Sequence, residues 1–164
     1  LDSLFLPARF NLAMLYEAQG RTREAETELR AAVKTAPELA DAHYSLGLLL
    51  AADPARGDEA AETLSRAATL APNRARVHYN GGLAQQRLQH WDQAESLLLH
   101  ALALEPDNPQ TLQAVTILYL QQERNQDALP HARALLRLRP GSRDVQSLVA
   151  RASAPALEPP PSTP

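Results

Sequence analysis

The sequence predicts an all-α fold, a right-handed α-solenoid of about four helix-turn-helix units followed by a C-terminal capping helix. Prolines recur at intervals of 35, 34 and 34 residues, at Pro37, Pro72, Pro106 and Pro140. A ladder of three apolar residues precedes each proline at the same offsets in all four units. The 164-residue chain is 45% hydrophobic and 21% charged, which is enough apolar material for a buried core. Period, ladder and composition together favour a repeat protein built of helices.

The apolar ladders predict the second helix of each unit. Their members are Ala25, Leu29 and Ala32; Ala60, Leu64 and Ala67; Ala94, Leu98 and Ala101; and Ala128, Ala132 and Leu135. Steps of three and four residues place each set on one helical stripe, and the following proline prevents the helix from continuing.

A first helix is predicted upstream of each ladder, with a close-packing position at Ala13, Gly47, Gly82 and Thr116. A 34-residue helix-turn-helix unit with a small residue on the first helix, alanines on the second and a closing proline resembles the tetratricopeptide repeat (TPR). The second unit has one extra residue, which we place in the loop from Ala52 to Gly57 because a loop absorbs an insertion at low cost.

The predicted domain is a TPR solenoid at residues 6–151, with repeats at about 6–39, 40–74, 75–108 and 109–142 and a cap at 143–151. In the cap, Val145, Leu148 and Val149 share one helical face, which suits it to cover the end of the last repeat. We interpret residues 1–5 as the remnant of a preceding segment. Residues 152–164 are expected to form a proline-rich disordered tail.

Composition excludes several classes of function. Sixteen basic and nineteen acidic residues give a net charge of −3, so the chain lacks the broad positive field that nucleic-acid binding requires. No apolar run approaches the roughly 18 residues needed to cross a bilayer, so membrane insertion is not expected. Without cysteine there is no disulfide, thiolate metal site or thiol catalysis. The chain is expected to be soluble, and either cytoplasm or periplasm is compatible with this composition.

The sequence contains no motif for catalysis or for cofactor binding. Phosphate loops, dinucleotide fingerprints, zinc-protease helices and nucleophile elbows are absent. His43 and His78 occupy equivalent places in successive repeats, about 10 Å apart by helix packing, which is too far for two ligands of one metal. His90, His100 and His131 show no spacing that converges with carboxylates. We therefore expect no enzyme activity, no cofactor and no metal site.

The resemblance to TPR proteins implies a concave groove lined by the first helices, which binds a protein or peptide ligand. The groove positions carry an aromatic row, an aliphatic row, a polar column between the rows and one cation. These are Phe10, Tyr44 and Tyr79; Met14, Leu48, Leu83 and Ile117; Asn11, Ser45 and Asn80; and Arg76. The aromatic residues are equally compatible with a structural role.

Gly81 departs from the repeat pattern, because Leu12, Leu46 and Val115 stand at the equivalent positions. We expect a neighbouring side chain to fill the space, since protein interiors pack densely. A hinge or a pocket in the third repeat is the alternative.

The leading functional hypothesis is a noncatalytic protein-interaction scaffold, with two alternatives. The chain could be the accessory domain of a larger enzyme, because its segments resemble TPR regions that follow bacterial multihaem cytochrome domains, and its asparagines resemble those of protein O-linked sugar transferases. It could also form a homo-oligomer. Residues 1–60 carry ten acidic and six basic residues, whereas residues 124–151 carry six arginines and two aspartates, so a head-to-tail contact is conceivable.

Overall fold

The computed structural model describes residues 6–154, and within that range the chain forms helices and turns without any strand. The helices are α1 Leu6–Ala18, α2 Thr22–Thr35, α3 Ala40–Ala51, α4 Gly57–Leu70, α5 Ala75–Arg87, α6 Trp91–Leu104, α7 Pro109–Gln121, α8 Asn125–Leu138 and α9 Arg143–Ala152. The all-α helical repeat architecture predicted from the sequence is confirmed. The predicted remnant at 1–5 and most of the predicted tail lie outside the described residues.

The described residues divide into two compact units, one that ends at Leu104 and one that begins at Glu105. In the first unit, α1 packs on α2, α3 on α4 and α5 on α6, and α2 contacts α3 while α4 contacts α5. In the second unit, α8 packs on α7, and α9 packs on both. Within each unit, each helix therefore lies against its neighbours in the chain, as expected for a repeat protein.

The ladder residues form the core of the helix pairs. All twelve predicted ladder side chains are no more than 1% exposed. The four ladder helices end at Thr35, Leu70, Leu104 and Leu138, two residues before the recurring prolines. The ladder and the proline therefore correctly predicted the buried side and the end of each second helix.

Small residues on the first helices allow the two helices of a repeat to approach closely. A Cβ atom on Gly47 would lie 2.6 Å from Cγ of Leu64, and one on Gly82 would lie 2.6 Å from Cγ of Leu98. Thr116 takes the same place in α7, fully buried, and its hydroxyl donates to the carbonyl of Leu112 at 2.8 Å. This hydrogen bond pairs the buried hydroxyl group that threonine introduces where the other repeats have alanine or glycine.

The extra residue of the second unit lies in the predicted loop. α3 ends at Ala51, a short 3-10 turn follows at Pro54–Arg56, and the Asp53 carboxylate accepts a hydrogen bond from the Ala55 amide at 2.9 Å. Arg56, at the end of this turn, donates two hydrogen bonds of 2.8 Å to the Glu26 carboxylate on α2. The insertion is therefore tied to the preceding repeat.

The space at Gly81 is closed. A Cβ atom there would lie 3.4 Å from Cδ1 of Leu97 and 3.6 Å from the backbone oxygen of Leu64, which are ordinary contact distances. The expectation that a neighbouring side chain fills this space is confirmed, and Leu97 of α6 is that side chain.

Candidate functional site

Ten of the eleven predicted groove residues lie on the three first helices of the first unit, α1, α3 and α5. We call these ten residues the first-helix face: Phe10, Asn11, Met14, Tyr44, Ser45, Leu48, Arg76, Tyr79, Asn80 and Leu83. The eleventh, Ile117, lies half-buried on α7 in the second unit.

The aliphatic row of the first-helix face keeps accessible surface. Leu48 on α3 is 39% exposed, and Met14 and Leu83 are half-buried at the equivalent positions of α1 and α5. Met14 also packs against the core that contains Leu29 and Leu46. The row therefore offers apolar surface centred on α3.

The aromatic row is largely part of the core. Tyr44 is 7% exposed and belongs to a cluster that includes Leu64 and Val77. Phe10 packs against the core of the first repeat, and Tyr79 is half-buried, so that burial raises the pKa of its phenol. Tyr44 consequently has little surface left for a ligand.

The polar column is not uniform. Asn11 is exposed and Ser45 is half-buried. The Asn80 side-chain amide donates a hydrogen bond of 2.6 Å to the Tyr44 hydroxyl, which links α5 to α3. Asn80 therefore helps to align the two helices, and Asn11 is the more accessible amide of the column.

The positive charge of the face comes from Arg76, which is exposed and makes no ion pair within residues 6–154. Sequence reasoning missed its neighbour Arg74, which forms an ion pair with Asp41 and lies with its guanidinium carbon 5.9 Å from the centre of the Tyr44 ring. The sequence did contain a pattern that predicts this ion pair, because Asp41 and Arg74 carry opposite charges near the starts of successive first helices.

In the first, third and fourth repeats, the turn between the two helices is closed by a contact between a first-helix residue and the residue five positions later. In the first repeat the guanidinium of Arg21 lies 4.3 Å from the Tyr16 ring centre, and in the fourth Arg124 lies 4.5 Å from that of Tyr119. We call these contacts turn clamps; an arginine over an aromatic face is a favourable cation–π pair.

The third repeat has a different turn clamp. Its members are Gln85 and His90, and Nδ1 of His90 lies 2.8 Å from Oε1 of Gln85. Gln85 is 6% exposed, and its side-chain amide also donates a 2.9 Å hydrogen bond to the Ser65 hydroxyl on α4. A cation–π contact is thus replaced by a chain of hydrogen bonds through the buried side chain of Gln85.

Three of the other histidines lie within hydrogen-bond distance of the carbonyl groups of prolines that follow second helices. Nε2 of His43 lies 2.9 Å from the carbonyl oxygen of Pro37. The rings of His78 and His100, with centres 4.2 Å apart, both direct Nε2 at the carbonyl oxygen of Pro72, at 3.1 and 2.9 Å. Sequence reasoning missed this pairing. Among the described residues, no group of three or more histidine, aspartate or glutamate side chains could hold a metal ion.

Burial lowers the pKa of His78, and the nearby His100 lowers it further. Burial also lowers the pKa of His131, whose ring stacks on Tyr119 in the second unit with centres 5.8 Å apart. These rings therefore favour the neutral form, in which they pack as partly apolar side chains.

In the part of the chain that the structure describes, no helix is both long enough and apolar enough to cross a membrane.

Comparisons with known proteins agree with this architecture. Residues 10–75 match the family model described as tetratricopeptide repeat. A crystal structure of MamA protein has a TM-score of 0.83 at 16% identity and covers 90% of this chain and 80% of that one. MamA AMB-1 has a TM-score of 0.76 at 25% identity, over 88% of this chain and 78% of that one. The pilF protein of Pseudomonas aeruginosa has a TM-score of 0.70 at 25% identity, over 90% and 67%. None of the curated proteins matches the chain significantly.

Proposed function

We propose that the chain is a noncatalytic scaffold that binds a peptide or a helix of another protein on its first-helix face, which the match of residues 10–75 to the tetratricopeptide repeat model favours. The observation that carries this proposal is the aliphatic row, in which Leu48 keeps 39% of its surface exposed between Met14 and Leu83. Burying apolar surface of this kind under a partner is the main source of affinity in helix and peptide recognition.

The polar residues of the face support an extended ligand. Asn11 presents an accessible amide that can pair with a peptide backbone, and Arg76 presents a cation without an ion pair within the described residues. Tyr44 and Asn80 hold α3 and α5 in register through their hydrogen bond, so the face is already ordered before binding. Ile117 is proposed as a ligand contact of α7, by its equivalence to Leu48 and Leu83.

The test uses a display library of short random peptides selected on the folded chain. Selected peptides are then measured against the wild type, Leu48→Gln and Leu15→Gln. Leu15 is a matched control because it is 52% exposed on α1 but is not part of the first-helix face. We expect Leu48→Gln to weaken binding at least fivefold and Leu15→Gln to leave it unchanged. Equal binding by the two variants would show that the first-helix face is not the binding surface.

A further inference from the structure

The third repeat lacks two hydrophobic side chains on the side of α5 that faces the second helices. Gly81 stands where the other repeats have leucine or valine, and Gln85, one turn later, stands where they have Tyr16, Leu50 and Tyr119. Leu97 closes the space at Gly81, and at Gln85 the replacement places a polar side chain where the other repeats have tyrosine or leucine. This departure coincides with an open cleft.

The cleft lies between α4 and α6, above α5, and has a volume of about 610 Å³. We call it the α4–α6 cleft. Its buried floor includes Ala61 and Gln85, and its walls include the half-buried side chains of Leu88 and Leu97. Gln85 is already hydrogen-bonded to Ser65 and His90, so the floor is ordered without a ligand.

The electrostatics of the α4–α6 cleft are one-sided. Three exposed carboxylates line it, from Asp58 and Glu62 on α4 and Asp92 on α6, and no lysine or arginine lies among the described lining residues. None of the three carboxylates forms an ion pair within residues 6–154, whereas the carboxylates of Glu26 and Glu59 between α2 and α4 are bound by arginines. Unpaired carboxylates beside an apolar wall complement a long cationic side chain.

We propose that the α4–α6 cleft binds an arginine or lysine side chain presented by a basic segment of another protein. The aliphatic stem of that side chain packs on Leu88 and Leu97, and its charged end reaches Glu62 and the aspartates at the rim. The cleft lies between the second helices α4 and α6, with Gln85 of α5 in its floor, and it uses none of the residues of the first-helix face. The chain therefore has two separate binding surfaces, and the failure of one proposal leaves the other intact.

The test is an NMR titration of the isotopically labelled full chain with a short blocked arginine-rich peptide. The control peptide carries citrulline in place of every arginine, which keeps the shape and removes the charge. Glu62→Gln is compared with Glu17→Gln, because Glu17 is an exposed carboxylate on α1 outside the cleft and the two variants change net charge equally. Unchanged amide spectra away from the substitution establish that both variants fold.

We expect the arginine peptide, and not the citrulline peptide, to shift the resonances of Ser65, Gln85 and Ser96. Glu62→Gln should weaken this binding at least threefold, and Glu17→Gln should not. Equal weakening by both variants would show a nonspecific charge effect and overturn the proposal, as would shifts confined to other helices. Shifts at the cleft that depend on protein concentration without peptide would identify a second copy as the occupant and overturn the assignment to a different protein.

Discussion

Gly81 and Gly82 are adjacent in α5, but alanine is expected to have opposite effects at the two positions. A Cβ atom at Gly81 meets Leu97 at 3.4 Å and backbone atoms of Leu64 at 3.6 Å or more, so it fits without displacing a helix. Alanine is favoured over glycine in a helix interior by roughly 0.5 to 1 kcal/mol. Gly81→Ala should therefore stabilise the first unit by about that amount.

At Gly82 the added Cβ atom would lie 2.6 Å from Cγ of Leu98 and 3.2 Å from its backbone nitrogen. The α5 and α6 helices must then separate, and overpacking of this kind costs about 1 to 3 kcal/mol, which exceeds the gain in helix propensity. Gly82→Ala should destabilise the unit, and Gly47→Ala, with the same 2.6 Å approach to Leu64, should behave alike.

The assay is urea unfolding followed by the fluorescence of Trp91, the only tryptophan, which lies at the start of α6 in the first unit. With an m-value of about 1 to 2 kcal/mol per molar urea, the midpoint should rise by roughly 0.5 M in Gly81→Ala and fall in Gly82→Ala. If Gly81→Ala lowers the midpoint as much as Gly82→Ala does, the account of packing in the third repeat is wrong.

Three further outcomes are expected. Pro130 is exposed inside α8, where it removes one helical hydrogen bond. Pro130→Ala should therefore stabilise the second unit by about 1 to 3 kcal/mol, measured by thermal unfolding. An unchanged midpoint temperature would contradict this expectation. Because the folded-state pKa of His78 lies below the usual 6.5, the unfolded chain binds the proton more readily than the folded chain does. The contribution of neutral His78 to the free energy of unfolding should therefore be complete above pH 6.5 and should fall as the pH drops below that value. The urea midpoint of His78→Gln should fall less steeply over the same pH range. Hydrogen bonds from Arg56 lower the pKa of Glu26 to about 2, so the stabilisation of the fold by the Glu26 carboxylate is present above pH 4.5 and lost towards pH 2. Glu26→Gln should lower the free energy of unfolding by about 1 kcal/mol at neutral pH and should remove part of the loss of stability in acid.

The sequence predicted the repeat skeleton because each element of it is a local pattern. A ladder such as Ala94, Leu98 and Ala101 needs only helical geometry to identify its buried side, and a proline two residues after the helix identifies its end. The place of the extra residue followed in the same way, since helices tolerate insertions poorly and loops tolerate them well.

The sequence did not reveal contacts that depend on which neighbouring repeat a side chain meets. Tyr44 was equally compatible with a groove and with the core, and its contact with Asn80 is decided by the approach of α5. The His78 and His100 pair depends on both rings reaching the same carbonyl group at Pro72. The division of the chain after Leu104 has no equivalent in a repeat pattern that continues through it.

The turn clamps bear on how such a chain can change in length. Each of the three involves two residues of the same repeat, only five positions apart, so a duplicated repeat carries its own closed turn with it. A copy inserted between existing repeats needs new complementary surfaces only on its outer sides. Lengthening the array by whole units therefore leaves each of these three turns intact. The polar clamp of Gln85 and His90 differs in chemistry from the other two while it keeps the same spacing of five residues.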